Sequence, residues 1–288
     1  MDMNLQKYLS FVKTVEYGSF TKAAEALNYS QSGISRMISD LENEWGVALL
    51  ERAKNGVTLT SEGEKILPYA KSLCCEFDRL AGLVGEINNM NAGLIRIGVF
   101  SSVATHWLPN VINEFIKDYP GIEYELVVGE YREIEEWVEN GRVDFGFLEL
   151  PVQRNIDTVF LEKDELVVIL PKNHPFSSQD CFPVSELEKE PFILLERNYK
   201  SEISAFFEKN NIVPDIKYTT WDDYAIMSMV EKGLGIAILP QLILKRIDYD
   251  IVIKSLDVPV YRNIGIAIRS KDNISPIVRN FLEYLKYR

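Results

Sequence analysis

Three cysteines and two histidines are all the thiols and imidazoles in this 288-residue sequence. Cys74 and Cys75 are adjacent and Cys181 is remote, a spacing that builds neither a disulfide framework nor a metal site, so reduced thiols are expected. With His106 and His174 as the whole imidazole supply, most histidine-dependent triads and zinc sites are excluded. Phosphate loops of the P-loop type, GxSxG elbows, HExxH and CxxC pairs are missing too, so neither an enzyme nor a metal is expected. No apolar run approaches the length that spans a bilayer, and the start MDMNLQKYLSFVKTV lacks the charged-then-apolar layout of a signal peptide. A cytoplasmic chain with no membrane partner is expected. Positive charge is also in short supply, with a net charge of −12.

What is present begins with helical periodicity. Leu5, Tyr8, Leu9, Phe11, Val12 and Val15 form an apolar stripe that Gly18 ends. Ser19 then caps a helix from Phe20 to about Leu27, and Asn28-Tyr29 turn the chain. Ser30 caps a third helix, Gln31 to about Trp45, with Ile34, Ile38, Leu41 and Trp45 inward and Gly46 closing it. Three short helices with tight turns make a helix-turn-helix, whose last helix reads the major groove with its N-terminal residues. Gln31, Ser32, Ser35 and Arg36 stand there beside the cap Ser30. Gln pairs with adenine, Arg with guanine, and Ser with a base or a phosphate. A merely solvated polar face would contain the same residue types. The stretch VALLERAKNGVTLT reads as a hairpin turning at Asn55-Gly56, a wing whose Arg52, Lys54 and Asn55 are candidates for phosphate or minor-groove contact. Residues 1–60 carry six basic and seven acidic side chains, so the reading head is close to neutral and the negative charge lies behind it. Weak non-specific affinity, and therefore two heads per complex, are expected.

Thr60 or Ser61 then caps a long helix in which Ile66, Ala70, Leu73, Phe77, Leu80, Val84 and Ile87 repeat at spacings of four and three. That heptad seam suggests a two-stranded dimer contact, with packing on its own chain as the alternative. Pro68 is expected to bend the helix, and a redox role for Cys74 or Cys75 on it is left open. From Leu94 short apolar runs alternate with amphipathic helices, the texture of an α/β domain with a largely parallel sheet. LIRIGVF is its first strand, Ser101 to about Asp118 a single helix, and IEYELVVG, VDFGFLEL, ELVVILP, PFILLE, DIKYTTW, GIAILP and NIGIAIR are later strands.

The segment GSFTKAAEALNYSQSGISRMISDLENEWGVALLERAKNGVTLTSEGE resembles the helix-turn-helix and wing of the LysR-type transcriptional regulators almost position by position. Ser32-Gly33 departs from the Ala or Pro-Ala usual there. The resemblance implies an α/β protein overall, with a winged helix-turn-helix over 1–60, a linker and dimerisation helix over 61–90, and a two-lobed, Rossmann-like effector domain over 91–288. That domain is similar to periplasmic solute-binding proteins. Lobe I would take about 94–163 and 265–288, lobe II about 164–264, with crossings near Glu162–Glu165 and Tyr261–Ile266 and a ligand cleft between. WDDYAIMSMVEKGLGIAILPQ resembles the family's cleft-lining segment. Ligands of open α/β sheets bind at strand ends and helix N-termini, which points to Ser101, Ser102, Tyr131, Leu148, Glu149 and Trp221, with Glu130 and Glu196 nearby. The carboxylates leave the ligand's polarity open. Expected partners are double-stranded DNA at an interrupted dyad, a second copy in a homodimer or homotetramer, a small-molecule effector in place of any cofactor, and RNA polymerase as a possible further one. A solute-binding or storage protein whose N-terminal helices serve only association is the competing reading.

Overall fold

The computed structural model describes residues 4–53, 56–88, 93–196, 202–271 and 274–288. Its first three helices, α1 (Leu5–Tyr17), α2 (Phe20–Leu27) and α3 (Gln31–Trp45), each start under a short polar cap and stop at a left-handed residue. Asn4, Ser19 and Ser30 accept the amide hydrogens of Gln6, Lys22 and Gly33, and Gly18, Asn28 and Gly46 close the helices at φ of 60°, 58° and 67°. Phe11, Ile34, Ile38, Leu41 and Leu49 are fully buried between them, with Ala23 and Ala24 letting α2 approach closely.

The wing is a hairpin of β1 (Leu50–Ala53) and β2 (Gly56–Leu59). Glu42 ties it to α3 by accepting the Leu49 and Leu50 amides at 2.7 and 3.1 Å. Helix α4 (Ser61–Asn88) leaves the wing under Thr60, whose hydroxyl oxygen accepts from Gly63 N–H at 2.9 Å. Only glycine fits at Gly63, because a Cβ there would lie 2.1 Å from the Leu49 carbonyl oxygen. The helix continues through Pro68 without interruption.

After β3 (Gly93–Val99) come α5 (Ser101–His106) and α6 (Leu108–Asp118), where a single helix was expected. The break is at Trp107, buried and at φ −104°, ψ −55°; Pro109 restarts the chain in the first turn of α6, where a missing amide hydrogen costs nothing. Then follow β4 (Ile122–Val128), α7 (Tyr131–Glu139), β5 (Phe145–Glu149), β6 (Asp157–Pro171), β7 (Cys181–Phe182), β8 (Pro191–Leu195), α8 (Glu202–Asn210), β9 (Asp215–Thr220), α9 (Asp223–Glu231), β10 (Ala237–Pro240), β11 (Ile251–Ile268) and α10 (Pro276–Glu283). Among the described residues no helix is long and apolar enough to cross a membrane.

The main sheet runs β10-β6-β11-β5-β3-β4, with β7 beside β11. It is mixed, not largely parallel: β3 is parallel to β4 and β5, whereas β5–β11, β11–β6 and β6–β10 are antiparallel. The cause is the length of β6 and β11, which are 15 and 18 residues. ELVVILP and NIGIAIR are only their apolar halves, and the polar middles disguise the rest as loop. One end of the paired ribbon belongs to a core with Ile95, Phe115, Phe145 and Phe281, the other to cores on both faces of lobe II. In lobe II, Leu166, Val168 and Leu170 face one side, Val167 and Ile169 the other, as strand alternation requires. The passage between lobes falls between Leu161 and Leu166 in β6 and between Val260 and Ile264 in β11.

Candidate functional site

At the DNA-facing end, the core side of α3 is fixed by Ile34, Ile38 and Leu41, which turns the start of the helix outward. Gln31, Ser32 and Arg36 are exposed and Ser35 is half-buried. Ser30 is committed to capping, with its hydroxyl 3.1 Å from that of Ser32. Ser39, one turn further along, is exposed in the same row. Much of the head's acidity is consumed internally. Glu44 pairs closely with the buried Lys7, Glu16 pairs with Lys13 at 2.8 Å, and Glu42 holds the wing amides. Arg52 lies on β1, while Lys54 and Asn55 fall outside the described residues.

The expected seam on α4 divides. Ile66 and Ala70 pack into the head's own core together with Cys74, so they are not available to a partner. The reason is that the first turns of α4 cover the open side of α1 before the helix leaves the head. From there Leu73, Phe77, Leu80 and Val84 stand 41 to 57% exposed in one row. The backbone of Ile87 continues the helix. Glu76 on this helix reaches Arg269 just beyond β11 and ties the helix to the effector domain.

The second candidate site is a cavity of about 280 Å³ between the lobes. The antiparallel register sets Asp164 of β6 directly opposite Arg262 of β11, where both strands cross between lobes. Both side chains are buried. Arg262 donates from Nε to Asp164 at 2.8 Å, from Nη1 to the Tyr131 hydroxyl at 2.8 Å and from Nη2 to the Ser102 hydroxyl at 2.8 Å. Its Nη2 also lies 2.6 Å from Asp164, and the guanidinium stacks 4.9 Å over the Phe100 ring. The other Asp164 oxygen accepts the Leu242 amide at 2.9 Å. One hinge cation therefore holds groups from both crossing strands and from the start of α5 and α7. Its pKa is raised by Tyr131 and Asp164 against the opposing effect of burial.

Six carboxyl side chains line the same cavity: Glu130, Glu135, Glu149, Glu196, Glu202 and Asp223. Burial, then the neighbouring Glu202, push Glu149 up to about 8. Burial raises Asp223 to about 6, with Arg262 pulling the other way and Asp222 and Glu130 adding to the rise. Tyr131 is raised mainly by burial. Glu135 is structural, accepting the amides of Gln153 and Arg154 after the Leu150-Pro151 turn.

Of the residues expected at the cleft, Ser101, Ser102, Tyr131, Glu149 and Trp221 line it, as do Glu130 and Glu196. Leu148 does not: it is 1% exposed within the lobe I core, because consecutive residues of β5 face opposite ways and Glu149 takes the cavity side. Ser102 offers less than expected, since its hydroxyl is bound to Arg262 and α5 is only six residues long. Asp164, Glu202, Asp223 and Arg262 were missed. A signal existed for two of them: opposite charges, Asp164 and Arg262, each falling at one of the two expected crossings between lobes.

Two family descriptions cover nearly the whole chain: "Bacterial regulatory helix-turn-helix protein, lysR family" over residues 5–64 and "LysR substrate binding domain" over residues 88–288. The HTH-type transcriptional regulator YvbU of Bacillus subtilis, itself uncharacterized, is 31% identical over 99% of this chain and 98% of its own. Among solved structures, the LysR family regulator CbnR superimposes with a TM-score of 0.74 at 22% identity, covering 99% of this chain and 98% of that one. CbnR has also been solved in complex with its target DNA. HinK, a LysR family regulator from Pseudomonas aeruginosa, gives a TM-score of 0.61 at 28% identity over 98% of this chain and 97% of its own.

Proposed function

The chain belongs to the LysR family of transcriptional regulators, and from that premise we propose that it binds an interrupted DNA dyad as a homodimer or dimer of dimers under the control of a small molecule held between its lobes. The exposed row of Gln31, Ser32 and Arg36 at the start of α3 carries this reading, because a helix needs its polar N-terminal face free to reach base edges. The exposed stretch of α4 from Leu73 to Val84 supports pairing of two heads. Arg262 and Asp164 support the control step. They sit where both strands cross between lobes, so a ligand that prefers one lobe arrangement shifts the population of arrangements.

Footprinting of the region upstream of the chain's own gene, with and without added metabolites, tests the reading. Protection of two half-sites above the level seen with random DNA at physiological salt is expected, with the protected span changing when an effector binds. Protection no better than random DNA would overturn it. A solute-binding protein with an accessory helical domain is not favoured, since the relatives are regulators over their full lengths. The relatives belong to a class that is generally not enzymatic.

A further inference from the structure

We propose that the interlobe cleft takes a cationic organic ligand, an amine or guanidine whose charged nitrogen enters between Glu149 and Glu202. This inference rests on the cleft being the effector site and names the ligand class.

The most buried cation of the cleft among the described residues is already spent. Arg262 is engaged by Asp164, Tyr131 and Ser102, and the Ser102 hydroxyl is used in the same network. Of the helix N-termini at the cavity, that of the six-residue α5 has no side-chain cap, while those of α7 and α9 are filled by the chain's own carboxylates. Glu130 closes a reciprocal capping box on α7 with Glu133, and Asp222 accepts the Tyr224 and Ala225 amides at the start of α9. Both ends would otherwise present amide hydrogens and a positive dipole to an anion. Asp223 follows in the first turn of α9, and Glu202 opens α8.

What remains unsatisfied is acceptor capacity. The Glu149 carboxyl meets that of Glu202, the Tyr131 hydroxyl also reaches the Glu202 carboxyl, and one of its oxygens, Oε1, is buried with no protein donor in bonding geometry among the described residues. Such a pair is stabilised by a shared proton or by a cation with several N–H donors. Burial holds that proton on Glu149 up to about pH 8. A metal ion is the poorer candidate, because hard divalent cations need six or more oxygen ligands, and among the described residues no group of three or more acidic, Cys or His side chains converges to hold one. A cavity of about 280 Å³ suits a small metabolite. On binding, the ligand enters already protonated and Glu149 gives its proton to solvent. Among the described residues the charged groups around this carboxyl are Glu202 and Arg262, with the Tyr131 hydroxyl beside them.

Three probes of one length, 1,4-diaminobutane, butane-1,4-diol and butanedioate, are added to the full-length protein and followed by thermal shift and titration calorimetry. The diamine is expected to raise the melting temperature and the other two to leave it unchanged. Its affinity should strengthen about tenfold or more between pH 6 and pH 8, with proton release read from buffers of different ionisation enthalpy. Glu149→Gln and Glu202→Gln should each weaken it about tenfold or more and abolish the pH dependence. Diamine binding indifferent to pH and to both substitutions would be attraction to an acidic surface and would overturn the proposal, as would no binding by any probe. Binding of butanedioate in preference to the diamine also overturns it, and loss of that binding in an Arg197→Ala/Lys200→Ala variant would trace it to the stretch between Glu196 and Glu202. In that case the cleft stands as an effector site for anions, whereas failure of the regulator reading would show as absent operator protection.

Discussion

In the head, Gln31, Ser32 and Arg36 stand in solvent on a helix whose opposite face is locked into the core by Ile34, Ile38 and Leu41. In the cleft, Ser102, Tyr131, Asp164 and Arg262 are bonded to one another across the lobe junction, and three of the four are fully buried. The same polar chemistry thus serves two ends. At the head, recognition is separable from folding, because an exposed side chain contributes little to stability and everything to the partner. At the cleft they are joined, since a buried charge must be satisfied whether or not a ligand is present. A surface of the first kind can change its target by substitution, while one of the second kind can change only with its supporting network.

The sharpest break in that contrast comes from Arg262→Leu. It leaves Asp164 buried and unpaired, and should destabilise the effector domain by about 3–5 kcal/mol, read as a lower melting temperature or as insoluble protein. If Arg262→Leu melted like the parent, the cleft would be as separable as the head. Next, Phe77→Glu with Leu80→Glu on the exposed stretch of α4 should give monomers in sedimentation and weaken operator binding by roughly 10²-fold, the avidity of two heads. Arg36→Ala should cost about 1–3 kcal/mol of discrimination at its base pair in a binding assay at fixed salt. Its melting temperature should stay at the parental value, the opposite pattern to Arg262→Leu.

Smaller effects refine the comparison. Glu149 has its carboxyl raised from 4.5 to about 8 by burial, so the folded state holds a proton that the unfolded chain releases. Its stabilisation is complete below about pH 4.5 and is lost as pH rises toward 8. Melting temperature should therefore fall over that range, and Glu149→Gln should flatten the fall. Smallest is Gly33→Ala, which gains up to about 1 kcal/mol of helix propensity against a Cβ contact of 3.2 Å with the capping Ser30 oxygen. A change in melting temperature of no more than a few degrees is expected, with any loss of operator affinity tracing to the cap.

The head was legible because every instruction in it is local. Ser19, Ser30 and Thr60 cap helices within three residues of themselves, Gly18 and Gly46 end them, and the apolar spacing gives the buried face without reference to distant chain. The α4 seam was half legible: its heptad spacing was plain, but spacing does not say which end is already covered, and Ile66 and Ala70 turned out to be core of the head. The effector sheet was misjudged where polar residues interrupt apolar strands, as at Glu162–Glu165, which reads as a break and is the middle of β6.

Sequence alone determined the element types, the outward row on α3, the neutral balance of the head and the approximate place of the crossings. Tertiary structure alone decided that Asp164 and Arg262, 98 residues apart, are opposite one another, that the pair consumes Ser102 and Tyr131, and that Glu149 meets Glu202. The physical reason is range. Caps, turns and periodic faces act over one or two helical turns, whereas strand register is fixed by a ribbon closing over the whole effector domain, and buried charge has meaning only once register has chosen its neighbours.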